Sequence, residues 1–273
     1  MDAMGSEHWK IAFYADIFYQ SERSPEYWIP PANLDVQAIL LGGDIHYRPE
    51  LLGQMLASIQ QTQADTTQII VVPGNGEYVG QELTQARRQY REAVAAVSNA
   101  VFLDDDVLEL PGGRRIIGSA LWSHVPDERL DRYGQMIADL GQRGVDDIRL
   151  GDDYLTFRDC NELHREAREF IDGQLRALSQ AERDKTIVCT HFWPTLHPWT
   201  GSGAQPEPEE LHVYGTDLDA LIADHGPRMW LCGHVHESHR VMIGATEVAS
   251  NPRAGDGPGN LNPDFLESYV VEL

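Results

Sequence analysis

Met229-Trp230-Leu231-Cys232-Gly233-His234-Val235-His236 is the stretch on which the reading of this chain turns. Four apolar residues make a run that fits a buried strand, and two imidazoles follow two positions apart. In extended backbone such residues face the same side, so both rings can enter one cleft. Gly233 lets the main chain bend and come close. A lone His-x-His is a weak motif, and two solvated loop histidines are its plainest alternative. Its weight comes from four other apolar runs that also end in residues able to bind a metal. Residues 10–15 run into Asp16, and residues 36–43 into Asp44. Residues 68–72 lead to Pro73-Gly74-Asn75-Gly76-Glu77, and residues 186–190 to His191.

Between these runs the apolar residues change period. Leu51, Leu52, Met55, Leu56 and Ile59 recur at helical spacing behind Pro49, as do Leu83, Ala86, Tyr90, Val94 and Val97. Leu163, Ala167, Phe170, Ile171, Leu175 and Leu178 mark a third helix. Thr216 is read as the cap of a fourth, which carries Asp219 in its first turn and Leu218, Leu221 and Ile222. Short strands are expected at 101–103 and 107–110, split by Asp104-Asp105-Asp106, read as a solvated turn in preference to a cation site. Pro111-Gly112-Gly113 turns the chain into a partner strand at 114–121. A hairpin is expected at 240–250 around Ile243-Gly244-Ala245, and a closing strand at 268–273. Residues 124–157 read as an irregular surface excursion. Residues 192–212 read as a long loop of the kind that forms a lid or wall. Alternating strands and helices with paired short strands give an α/β domain with mixed sheets. In such sheets chemistry gathers beyond the carboxyl ends of the strands.

The 273 residues, 42% hydrophobic and 23% charged, suit one large globular domain or two small ones. No run approaches the ~20 apolar residues of a membrane span. The formal charge of −22 argues against a nucleic-acid polymer or an anionic membrane as partner. It suits a pocket whose sign bound cations reverse. Three cysteines make no disulfide framework. Cys189 and Cys232 sit in apolar runs as buried thiols, which fits the cytoplasm. Residues 1–9 are polar, lack an apolar centre, and read as a disordered leader rather than a signal peptide.

Asp16, Asp44, Asn75, His191, His234 and His236 combine carboxylate, amide oxygen and imidazole without thiolate. That donor set suits manganese, iron or zinc at a reactive site rather than a structural zinc. Two cations ~3.5–4 Å apart need a shared anion between them, and Asp44 at a glycine-flanked strand end is the candidate bridge.

The order Asp16, Gly43-Asp44, Gly74-Asn75-x-Glu77, His191, Gly233-His234-x-His236 resembles the calcineurin-like metallophosphoesterase superfamily, from about residue 10 to the end. Gly118-Ser119-Ala120-Leu121-Trp122, Thr190-His191 and Ser250-Asn251-Pro252-Arg253 are similar to a bacterial subgroup of its phosphohydrolases. The resemblance implies a four-layer αββα sandwich of two mixed β-sheets flanked by helices, formed by residues 10–273. It implies one or two divalent metal ions: the first on Asp16, Asp44 and His236, the second on Asp44, Asn75, His191 and His234. It implies hydrolysis of a small phosphate ester, with nucleotide-like esters among the candidates. It does not fix an oligomeric state.

Two positions depart from the family pattern. Asp-x-His becomes Asp16-Ile17-Phe18, which removes a ligand of the first ion. Gly-Asn-His-Asp/Glu becomes Gly74-Asn75-Gly76-Glu77, which removes the histidine that touches the phosphate and helps the leaving group depart. General acid catalysis contributes ~10²–10⁴-fold, so the expected activity is phosphodiesterase rather than phosphomonoesterase. Three readings follow. In the first, the site is rearranged, with His124 as replacement acid or His46 as compensating ligand. In the second, one tight ion sits on Asp44, Asn75, His191 and His234. In the third, the chain has lost catalysis and binds a ligand or a protein partner. Arg253 is a candidate bidentate phosphate contact, against a structural salt bridge. Glu77 either orients a ligand or merely begins a helix. Trp193, Trp199 and Tyr214 either wall a pocket or pack the long loop. His164 and His239 are read as surface or packing residues.

Overall fold

Strand residues alternate between two buried destinations, and that alternation builds the molecule. The computed structural model describes residues 9–17, 28–197, 211–254 and 261–273; Phe18, Trp199 and residues 1–8 lie outside them. The first half holds β1 (Lys10–Tyr14), β2 (Ala38–Gly42), α1 (Pro49–Thr62), β3 (Gln68–Val72), α2 (Leu83–Ala95), β4 (Ala100–Phe102), β5 (Asp106–Leu110), β6 (Arg114–Ser119) and α3 (Leu130–Asp139). Then come β7 (Arg149–Leu150), β8 (Asp153–Tyr154), α4 (Phe157–Arg176), α5 (Gln180–Arg183), β9 (Thr186–Thr190), α6 (Leu211–Tyr214) and α7 (Asp219–His225). The chain closes with β10 (Met229–Cys232), β11 (Arg240–Ile243), β12 (Thr246–Ser250) and β13 (Val270–Glu272).

One sheet has the order β13-β1-β2-β3-β4, the other β11-β12-β10-β9-β6-β5. The inner strands are parallel, while β13, β11 and β5 join antiparallel, so both sheets are mixed. Ile11, Phe13, Leu40, Ile70 and Val72 of the first sheet share one core with Ile116, Ile187, Cys189 and Leu231 of the second. The residues between them in sequence point outward. Ile39, Leu41, Ile69 and Val71 pack with Leu52, Met55 and Leu56 of α1 and Tyr90 of α2. Ile117, Val188 and Trp230 pack with Ile171 and Leu175 of α4 and Ile222 of α7. Two sheets lie face to face with helices outside, the expected four layers. Burial on both faces is why the parallel strands read as unbroken apolar runs.

The local signals account for most helix ends. Pro49 opens α1. Thr156 and Asp159 form a reciprocal capping box at α4. Three expectations fail. The stretch 124–157 is not irregular: it carries α3, whose Leu130, Tyr133 and Ile137 bury one face against Phe157. Asp104-Asp105-Asp106 is not a solvated turn, because Asp104 is buried against Arg87 at 2.9 Å and Asp105 accepts from Ser119 Oγ at 2.6 Å. Thr216 does not cap α7, which starts beyond Leu218.

Thr216 has another use. His164 of α4 is buried, with Nδ1 3.2 Å from Leu121 O and 3.3 Å from Trp122 O, and Nε2 3.3 Å from Thr216 Oγ1. The neutral ring with its proton on Nδ1 satisfies this set, with the hydroxyl donating to Nε2. Leu121 and Trp122 lie at φ 71° and 55°, so the ring holds a turn that side-chain sterics oppose. Burial pushes the His164 ring down to about 4, and does the same to His239. At these two rings the folded chain therefore binds fewer protons than the unfolded one between pH 6.5 and 4. Their contribution to stability is full above pH 6.5 and falls as pH drops through that window, by about 3 kcal/mol for His164. Urea titrations at pH 7.5 and 4.5 are expected to show the loss, and His164→Gln to flatten the slope.

Candidate metal centre

All the ligand-type residues follow carboxyl ends of parallel strands. Asp16, Asp44 and Asn75 come after β1, β2 and β3, which are neighbours in one sheet. His191 and His234 come after β9 and β10, neighbours in the other. Main-chain bonds knit these ends together. Asp16 N donates to Gly43 O at 3.0 Å, and Gly233 N to His191 O at 2.9 Å. Arg253 N donates to Ala15 O, and Ala254 N to Asp16 O, both at 2.9 Å.

Ligand atoms of Asp44, His191 and His234 all lie within 4.8 Å of one another. His191 Nε2 is 3.3 Å from Asp44 Oδ1 and 3.1 Å from Asn75 Oδ1. Its Nδ1 is 3.0 Å from Gly42 O, which fixes that nitrogen as the donor and turns Nε2 toward the cleft. The Val213 backbone lies against the His234 ring and favours its protonated form, though burial and His191 outweigh it. Beside this group, His236 Nε2 lies 3.5 Å from Asp16 Oδ1. The Asp16 carboxylate also accepts the His234 N–H, at 3.0 and 3.2 Å. Four expected ligands thus make a tight cluster, and two make an adjoining pair.

The backbone is strained where these side chains converge. Asp16, Asp44, His234 and His236 have φ of 49°, 53°, 68° and 54°. Non-glycine residues adopt this region rarely and at a cost, and such outliers gather at functional sites. Glycines allow the close approach, Gly233 and Gly76 among them. A Cβ on Gly233 would stand 2.5 Å from Asp16 Oδ2. A Cβ on Gly76 would stand 2.8 Å from both Cγ and Oδ1 of Asp44. The Gly76 N–H instead donates to Asp44 Oδ1 at 2.7 Å.

Glu77 does more than begin the short 3₁₀ turn Gly76–Tyr78. It is fully buried, and its carboxylate accepts from Gly74 N (2.7 Å), Asp44 N (3.0 Å), Ile45 N (2.7 Å) and His46 N (3.1 Å). Burial and the Asp44 charge push its carboxyl up, while the N–H groups of Gly74 and His46 pull it back. Every group aimed at its oxygens is a donor, so the ionised form fits the loop.

Burial opposes the Asp44 charge, yet His191 beside it holds the carboxyl well below the usual range. Burial also opposes charge on His191, but Asp44 raises that ring to about 10. His234 is pushed down to about 3 by burial and by His191. Burial lowers His236 and the Asp16 hydrogen bond outweighs it, so its ring is raised. Asp44 and His191 thus stabilise each other as an ion pair 3.3 Å apart, and a cation bound by both would displace the His191 proton.

The other candidates fall elsewhere. His46 is not drawn into the cluster of Asp44, His191 and His234; its Nδ1 accepts from Arg48 N at 3.2 Å. His124 is exposed and its ring faces His164 at 5.6 Å. Among the described residues it makes no hydrogen bond or ion pair with a ligand side chain. The Arg253 guanidinium lies 5.6 Å from the centre of the Trp28 ring. Trp193 is buried in packing, while Tyr214 stands 5.8 Å from the His234 ring. Sequence reasoning missed Asp146, whose Oδ2 accepts from Asn75 Nδ2 at 2.9 Å. Its signal was faint: a Gly-Val-Asp-Asp step in a polar segment.

Carboxylate, amide and imidazole donors gathered between two mixed sheets fit a divalent cation, and fold and site together define the class of metal-dependent phosphoesterases. The chain belongs to the calcineurin-like phosphoesterase family, whose sequence model matches residues 10–238. Among solved structures it is similar to phosphopantetheinyl hydrolase (PptH) from Mycobacterium tuberculosis, with a TM-score of 0.63 at 16% identity over 97% of this chain and 95% of that one. TT1561 of Thermus thermophilus is also similar, with a TM-score of 0.44 at 15% identity over 80% and 77% of the two chains. No curated protein matches the chain in sequence. Among the described residues no helix is long and apolar enough to cross a membrane.

Proposed function

We propose that this chain is a phosphodiesterase built around one tightly held divalent ion, with manganese, iron or zinc as the fitting metals. The observation that carries the reading is the unequal donor set. Asp44, His191 and His234 cluster within 4.8 Å with the Asn75 amide oxygen beside them, while Asp16 and His236 form only a pair. A cation held there supplies a Lewis acid that polarises a phosphoryl oxygen and offsets its charge.

The protein's own groups define the preference. Gly76 has no proton to give an alkoxide leaving group, and His124 and His46 are turned to other partners. A monoester dianion also meets an acidic chain of formal charge −22, which repels a diester monoanion less. Arg253, beside the end of β1, is the proposed phosphate contact, and Tyr214 the proposed wall for a base or aryl group. The cytoplasm is the proposed compartment, in keeping with three buried free thiols.

Kinetics with manganese test the reading. Aryl diesters are expected to exceed alkyl monoesters in kcat/KM by about 10²-fold, the lower range of general acid catalysis. Equal turnover of the alkyl monoester overturns the preference. Asp44→Asn is expected to abolish tight metal binding and to lower kcat/KM by about 10³-fold. A second reading draws on Gly76: the site holds ion and ester without turning the ester over. Tight manganese binding by wild type, with no hydrolysis of aryl diesters, selects it.

A further inference from the structure

We propose that Asp146 is a positioning residue that sets the orientation of the Asn75 amide and so makes it a metal ligand; this rests on the metal-site reading above. A primary amide has one accepting end and one donating end. Asn75 Nδ2 donates to Asp146 Oδ2 at 2.9 Å, and Asn75 Oδ1 then faces His191 Nε2 at 3.1 Å. A carboxylate can only accept. With Asp146 on one side, the amide nitrogen is committed there and the oxygen is left for the cleft. Without it, the amide can turn and present N–H groups, which no cation accepts.

The segment that carries Asp146 is built for this placement. Asp146 and Asp147 lie at φ 52° and 51°, two consecutive non-glycine residues in the left-handed region. Such a pair persists only where its surroundings determine it. Val145 N donates to Leu155 O at 2.8 Å, and Leu155 N to Ile148 O at 2.8 Å. On its other side the segment is sewn to the chain just after Asn75. Gly80 N donates to Asp146 O at 3.1 Å, and Arg149 N to Gln81 O at 2.8 Å. The two carbonyl–amide bonds hold Asp146 beside Asn75 independently of the side-chain contact.

The test has a metal-free and a metal-bound arm. In the metal-free chain, the Asn75 side-chain amide resonances in a nitrogen–proton correlation spectrum are expected to shift and exchange faster in Asp146→Ala. Asp146→Asn, whose amide can donate as well as accept, is expected to fall between wild type and Asp146→Ala. By calorimetry, Asp146→Ala is expected to bind manganese about 10–100-fold more weakly, as for other groups that orient a ligand from behind. The same change in an Asn75→Ala background is expected to add nothing. An unchanged Asn75 resonance, or an undiminished loss in the Asn75→Ala background, overturns the proposal. Wild type that binds no manganese overturns the metal-site reading instead, while the spectra still decide the orientation.

Discussion

Glu77→Ala is expected to cost about 3–5 kcal/mol of stability, as when one partner of a buried ionic network is removed, and to weaken manganese binding with it. The change removes the acceptor for four main-chain N–H groups, from Gly74, Asp44, Ile45 and His46. Glu77 is fully buried, so no water takes its place without a rearrangement. The Asp44 loop then loses the acceptor for its main-chain N–H that supports its strained φ of 53°. Glu77→Gln keeps the shape but sets an NH₂ against N–H donors, and is expected to cost about 1–3 kcal/mol. Urea denaturation of both variants checks this. A Glu77→Ala stability within about 1 kcal/mol of wild type, inside the range of surface substitutions and their neighbours, contradicts the role assigned to the carboxylate.

The second large effect runs against intuition. Gly76→His restores the family's missing histidine on paper, yet is expected to damage the centre rather than repair it. The clash starts at Cβ, 2.8 Å from Asp44 Cγ and 3.0 Å from Asp44 Oδ2, before any ring is built. Relief requires moving Asp44 or the 76–78 turn, which breaks the bond from Gly76 N to Asp44 Oδ1. Manganese affinity is expected to fall about 10-fold or more, the loss typical of disturbed ligand support. Gly76→Ala is expected to show most of that loss. Hydrolysis of alkyl monoesters by Gly76→His is expected to stay at or below the wild-type rate. A gain there would mean that the loop yields, and that only the proton donor was lacking.

The ligand positions were legible because each ends a strand buried on both faces. A run such as residues 36–43 announces both its own burial and the residue that follows. The sandwich was legible from the resemblance, and alternation along β1 through β3 explains it afterwards. What stayed hidden depends on partners far away in sequence. Asp104 reads as a turn residue until Arg87 is beside it. Thr216 reads as a cap until His164 is seen to need its hydroxyl. Asp146 sits in a polar segment whose periodicity says nothing about Asn75, 71 residues earlier. Glu77 was ambiguous because one residue type serves both a helix start and a buried anchor.

The cross-sheet main-chain bonds from Arg253 and Ala254 to Ala15 and Asp16 have a lasting effect on how this site can change. Peptide groups, common to every residue, set the width of the opening. Individual side chains at its lips can therefore be exchanged over evolutionary time without the gap widening or closing. Such a frame tolerates the loss of a motif residue at the margin.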